Sequence, residues 1–402
     1  MRSVAFWLSA AVLFTFPTED MLKVSDSIGS VSRCVGMLVT LFWILTILVT
    51  DRVRQLGTVH LIVAAFVLWN ALSFSWTADF ARTHARVETY FRMFVLFYIL
   101  WDLYTTPIAL RTALQSYVFG TYVALASQFY NFANGVTGVE FSRGRYTADG
   151  ISPNSIGLIL ALSIPIAWYL AITSSESTTR GCILRILNYA YIPTAYFSIL
   201  LTASRGSLIA SVPAVMFILG TLSVRLTLGH SLVLILVLLI LCGLFQFVPP
   251  ECLMRLSTAG DEIASGDLNG RIDIWQAGLV SFVERPFIGA GANAFPSVNA
   301  LGRAPHNTFM SILVDLGLIG LTLFVAIVAL LVLQASRTGP IECCFWFTLL
   351  FIWFLGTLCH NWEHTKHTWL IISLVTAGAN PSPTSSVDST DKVAQTPRHS
   401  IA

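Results

Sequence analysis

The chain has 402 residues, of which only 11% are charged and 55% are hydrophobic, giving a mean hydropathy of +0.74. An ordinary soluble domain is roughly 25% charged, and a chain this apolar cannot clothe a soluble fold of its size in polar surface. Composition therefore excludes a soluble enzyme, a secreted disulfide scaffold and a disordered protein, and leaves a polytopic membrane protein, with a net charge of +2 that by itself says little.

A spanning helix needs about 20 mostly apolar residues. Stretches of that kind predict helices near 4–18, 31–50, 57–75, 87–104, 109–130, 153–172, 186–203, 207–223, 228–248, 307–335, 343–359 and 366–379. They are too long and too continuously apolar for barrel strands. The expected fold class is all-α, with about twelve transmembrane helices over 1–379. The first stretch reads as a helix rather than a cleaved leader, because Pro17, Thr18, Glu19 and Asp20 follow it instead of a small-x-small site. Arg2 before it and Glu19 and Asp20 after it favour a cytoplasmic N-terminus. The polar tail 380–402, with its Pro, Ser and Thr, is expected to be disordered and cytoplasmic. The seven Cys show neither metal spacing nor a disulfide framework, and Cys252 has no evident partner.

Of the 23 basic residues, 20 are Arg; only Lys23, Lys366 and Lys392 are Lys. Arginine suits forked binding of phosphate and carboxylate. With the N-terminus inside, Arg52, Arg54, Arg111, Arg180, Arg185, Arg225 and Arg337 fall on the inner side, as the usual bias requires. About as many fall outside, among them Arg82, Arg86, Arg143, Arg145, Arg205, Arg255, Arg271 and Arg303. Two explanations stand for these: an anionic substrate, or pairing with acids of the same loop such as Asp261, Asp267 and Asp273. Arg92, within a span, reads as half of a buried ion pair.

Residues 249–305 form one long polar loop, expected to be extracytoplasmic, and such loops tend to carry function. Arg271, Ile274, Trp275, Gly278 and Leu279 recur at helical spacing and predict a short amphipathic helix. Glu284 to Asn293 reads as a turn-rich return. Pro305 suits the first turn of the next helix, which sets His306 at its outer mouth.

These residues resemble a family. Ser204-Arg-Gly206 at a helix mouth, Gly270-Arg271 followed by Trp275, Pro286-Phe-Ile-Gly-Ala-Gly291, His306-Asn307 and Asp315-Leu-Gly-Leu-Ile-Gly320 together look like the O-antigen ligase family. That family also holds polysaccharide polymerases and protein O-oligosaccharyltransferases. The resemblance runs from about 142 to 330, and the helix layout extends it. It implies an undecaprenyl-diphosphate-linked glycan donor, contact of Arg205 and Arg271 with the diphosphate, and service of the acceptor by His306. The chain lacks the larger soluble C-terminal region of many protein O-oligosaccharyltransferases, which lowers that branch.

The chemistry also stands on the residues. Transfer from a lipid diphosphate needs charge stabilisation on the leaving group and a base for the acceptor hydroxyl. The sequence contains no Asp-x-Asp; arginine forks can do that electrostatic work instead of a metal, so no cofactor is expected. Arg145 is a second-tier candidate for the diphosphate. His306, with an ordinary pKa near 6.5, suits a general base. Asn307 either orients the imidazole, donates to a sugar or starts the helix. Arg143, Ser204 and Trp275 are further possible substrate contacts. Asp315, about 13.5 Å along a helix from His306, is read as structural.

The expectation is a metal-independent inverting glycosyltransferase of the GT-C type in the bacterial inner membrane, facing the periplasm. It would pass glycan to lipid A core, or, as a polymerase, to another glycan. Membrane lipids are the other partners, and nothing points to nucleic acid. The rival class is a transporter of lipid-linked glycans, which calls for inverted repeats and broken helices near the midplane. Two motifs read as decoys. His360-Asn-Trp-Glu-His364 fits a zinc motif, but the only later acids, Asp388 and Asp391, fall on the other side of the membrane. Gly289-Ala-Gly-Ala-Asn-Ala294 lacks the βαβ context of a dinucleotide fingerprint and reads as a turn.

Overall fold

A computed structural model describes residues 1–25, 29–51, 54–137, 144–174, 178–224, 228–258 and 270–379. The tail 380–402, Arg143 and the acids Asp261, Glu262 and Asp267 lie outside these residues.

The described chain is a helical bundle. Its helices are α1 (Arg2–Thr15), α2 (Val31–Thr50), α3 (Thr58–Leu72), α4 (Phe80–Leu103), α5 (Pro107–Ala133), α6 (Pro153–Thr173) and α7 (Thr179–Thr202). There follow α8 (Arg205–Val224), α9 (Leu228–Phe245), α10 (Pro250–Ser257), α11 (Arg271–Glu284), α12 (Thr308–Ala335), α13 (Pro340–Cys359) and α14 (Lys366–Gly378). A two-stranded pairing of Lys23–Ser25 with Gly29–Ser30 lies between α1 and α2.

Each predicted stretch overlaps one of these helices. Six of the helices are long and apolar enough to cross a membrane, or seven if Ile235–Phe245 and Pro250–Ser257, bent by 106°, form one span. The others include short α1 and α14 and charged α4, so length and composition alone support several spans rather than twelve. Two helices begin well before their apolar stretch because polar caps start them. The Asp79 carboxylate accepts the Arg82 amide at 3.0 Å, and the Thr178 hydroxyl accepts the Gly181 amide at 3.1 Å.

The most enclosed span is α6, 89% buried, with α5, α7, α8 and α13 around it. A Cβ on Gly157 would lie 2.4 Å from the Ser207 hydroxyl, so glycine lets α6 and α8 close to contact. At the rim α2 is only 11% buried. Gly317 kinks α12 with φ 68. There the returning loop docks onto the opened backbone: the Gly291 amide donates to the Asp315 carbonyl at 2.8 Å and the Leu318 amide to the Pro286 carbonyl at 2.8 Å.

Two local expectations are corrected. Pro305 is not in a helix: α12 starts at Thr308, because His306 takes a left-handed conformation (φ 48) and Asn307 is the cap. Arg92 is not buried: it and Arg33 share the half-exposed Glu88 carboxylate at 3.3 and 3.2 Å. The buried pair is Arg86 with Glu363, at 3.0 Å, joined across the fold rather than within one helix.

Candidate active site

One end of the bundle gathers the cationic candidates. The turn from α7 to α8 is sharp, with Ala203 left-handed (φ 47). Ser204 is buried there, its hydroxyl 2.8 Å from that of Ser207. Arg205, the first residue of α8, donates from Nε to the Arg255 carbonyl at 2.7 Å and from Nη2 to the Thr258 hydroxyl at 2.5 Å. Its side chain thus joins the mouth of α8 to α10.

Arg145 lies beneath that turn and is 6% exposed. Its Nε donates to the Thr202 carbonyl at 2.7 Å and its Nη2 to Asn154 Oδ1, so it braces the end of α7 against the first turn of α6. Burial foremost, then the Arg255 charge, pushes its pKa down to about 10, which leaves it cationic at neutral pH. Cys252 finds partners in the same place: its thiol, buried and raised to about 11, donates to the Gly144 carbonyl at 3.2 Å.

The long loop supplies the other half. The expected amphipathic helix is α11, with Arg271 at its first position. Trp275 donates from its indole nitrogen to the Pro305 carbonyl at 2.8 Å, fixing the residue before His306. Asn307 serves the start of α12, its Oδ1 accepting the Met310 amide at 3.1 Å, and its own amide donates to Asn361 Oδ1 at 2.9 Å. The Thr308 hydroxyl donates to the His360 carbonyl at 2.8 Å.

These bonds bring His360 to His306, with ring centroids 6.4 Å apart and planes at 87°. His306 is exposed. Partial desolvation and the Arg271 guanidinium hold its pKa below 6.5, so the imidazole is neutral at pH 7. Burial, followed by the His306, Arg271 and Arg145 charges, pushes His360 down to about 4. His360 thus lies within electrostatic reach of His306, Arg271 and Arg145, and Arg145 within reach of Arg205. The arrangement can hold an anion beside a neutral base.

His360 and Asn361 escape a reading by spans, which assigns them to a membrane boundary. A signal was present: His-Asn occurs at 306–307 and again at 360–361. The zinc-like motif divides its residues between tasks. His360 faces His306, while Glu363 binds Arg86 and lies 3.1 Å from His364. Among the described residues no group of three or more His, Cys, Asp or Glu gathers to hold a metal. Asp315 is structural, its carboxylate accepting the amides of Asn293 at 3.1 Å and Phe295 at 2.7 Å. That holds the 289–295 segment as turns, the sense in which its glycines were read.

A helical membrane bundle with a cationic, histidine-bearing site at one end defines the class. Residues 190–325 match the family model described as O-antigen ligase, a stretch that contains Ser204, Arg205, Arg271, Trp275, His306 and Asn307. The resemblance drawn from the sequence is therefore borne out over that stretch. The match supports, at the coarse level, a glycosyltransferase-like enzyme of the ligase and polymerase type in a bacterial membrane. Comparison with curated proteins gave no match.

Proposed function

We propose that the protein transfers a glycan from undecaprenyl diphosphate to an acceptor hydroxyl at the periplasmic face of the inner membrane, most simply to lipid A core. His306 takes the proton of the acceptor hydroxyl as its oxygen attacks the anomeric carbon. The bond from that carbon to the diphosphate oxygen breaks from the opposite face, which inverts the centre. Charge gathers on the departing diphosphate, and Arg205 and Arg271 stabilise it as preorganised donors. Arg145 adds a fixed positive charge behind them. Trp275 and Asn307 position the base, and a domain of the GT-C type with no metal requirement fits this division of labour.

The observation that carries the reading is the Arg271 charge acting on a neutral, exposed His306, with Arg145 acting on the adjoining His360 and Arg205 on Arg145, in a region whose residues 190–325 are similar to O-antigen ligases. A deletion strain tests it. Loss of all polymer from lipid A, with lipid-linked polymer accumulating, is the expected result. Single repeat units left on the core identify a polymerase instead. An unchanged lipopolysaccharide profile contradicts both.

A further inference from the structure

A cavity of about 900 Å³ lies apart from His306, Arg205 and Arg271, among α1, α2, α4 and the first turns of α6 and α14. Its outer end is charged and its deeper part is apolar. Along α2 its lining runs from Ser30 to Thr40, and along α4 from Thr89 to Ile99. Either run is about 15 Å of helix, close to half of a hydrocarbon core about 30 Å thick. The slot is thus one leaflet deep. Met37 and Phe91, on its lining, are 60% and 62% exposed, so its side is open to the bilayer.

The charges at the outer end favour an anion. Lys366 is paired with Glu19, and Lys23 with Asp20 at 3.4 Å. Among the described residues, Arg33 and Arg92 share the carboxylate of Glu88. Two guanidinium forks on the lining thus share, among those residues, a single half-exposed carboxylate. A phosphate seated between Arg33 and Arg92 would balance them. The cavity also shares walls with the proposed site. Ser155 lines it while Asn154 holds Arg145, and His364 lines it while His360 meets His306.

We propose that this cavity seats a second phosphate-bearing lipid, the one that carries the acceptor hydroxyl. The assignment to the acceptor rests on the transferase reading above; the lipid site does not. The phosphate lies between Arg33 and Arg92, and the tail descends past Gly36, whose Cβ position has nothing within 4 Å.

The test uses the full chain, wild type and two variants, Arg33→Gln/Arg92→Gln and Gly36→Phe. The first removes charge and the second fills the slot, so the two do not share a folding risk. Native mass spectrometry is run with phosphatidic acid and with diacylglycerol, which lacks the phosphate. Wild type is expected to retain phosphatidic acid and not diacylglycerol, and both variants to lose it. In transfer assays both variants should raise KM for the acceptor lipid about tenfold and leave KM for the donor within about twofold. Equal phosphatidic acid binding by all three proteins overturns the site. A raised donor KM, or lost lipid binding with unchanged acceptor KM, overturns the acceptor assignment. If wild type transfers nothing, the acceptor assignment falls with the functional reading, and phosphatidic acid binding alone decides whether the cavity is a phosphate-lipid site.

Discussion

His306 sits in a left-handed backbone conformation that a non-glycine residue adopts at a cost of order 1 kcal/mol. The bonds of Trp275 to the residue before it and of Asn361 to the residue after it hold it there. Arg271 lowers its pKa, and the sign of that effect gives a test. Protonated His306 cannot accept a proton, so kcat/KM should fall as pH drops through its pKa, below 6.5. Arg271→Gln removes a charge that lowers this pKa, so the acid limb should move up towards 6.5, whatever happens to the maximal rate. A limb that stays in place contradicts His306 as the base. Arg145→Ala leaves the Thr202 carbonyl and the Asn154 amide oxygen without their donor, at about 1–3 kcal/mol each. Thermal unfolding should register that loss, and Arg145→Lys should recover part of it. Arg205, Arg271 and His306 were legible in the sequence because polar residues at helix mouths stand out against an apolar background. His360 was not, because its partner is 54 positions away and only the fold joins them.

Helices α11 and α12 act as one device, with Trp275 of the first gripping the strand that leads into the second. Trp275→Phe keeps most of the packing and loses the hydrogen bond. It should slow transfer by about tenfold or more while costing the fold about 1 kcal/mol. A fully active variant would show that the grip is incidental. Gly317→Ala strikes the other support. The added Cβ meets the Phe287 carbonyl carbon at 2.3 Å, at a residue whose φ is 68. The loop return 285–291 should detach, at a cost of order 2–3 kcal/mol, seen as faster proteolysis within the loop. Periodicity located α11, since its apolar positions recur at helical spacing. The starts of α4 and α7 were missed because their first turns are polar and are specified by caps on Asp79 and Thr178, which a search for apolar runs passes over. The kink at Gly317 was likewise hidden, because a glycine inside an apolar run carries no signal until the docked loop is seen.

At the scale of the whole molecule, charged groups among the described residues collect at two ends. Arg2 lies 3.5 Å from Asp102, and Arg54 lies over Trp101 at 4.5 Å, at the end where the N-terminus begins. Arg145, Arg205 and Arg271 gather with His306 at the other. With the N-terminus inside, a cysteine at Ser336 should be labelled by an impermeant reagent only from the cytoplasmic side, and one at Leu301 only from the periplasmic side. Labelling of both from one side contradicts the orientation. Composition settled the class of fold, but it fits any polytopic protein. Which arginines meet was beyond its reach, because that depends on packing of α6 against α7 and α8. The central claim is tested most directly with purified protein in liposomes supplied with a lipid-diphosphate-linked glycan and an acceptor lipid. Wild type should move the glycan to the acceptor, and His306→Ala should lose at least about 10²-fold in rate while still binding the donor. No transfer by wild type, with the donor carried across the bilayer instead, would contradict the account and leave a transporter.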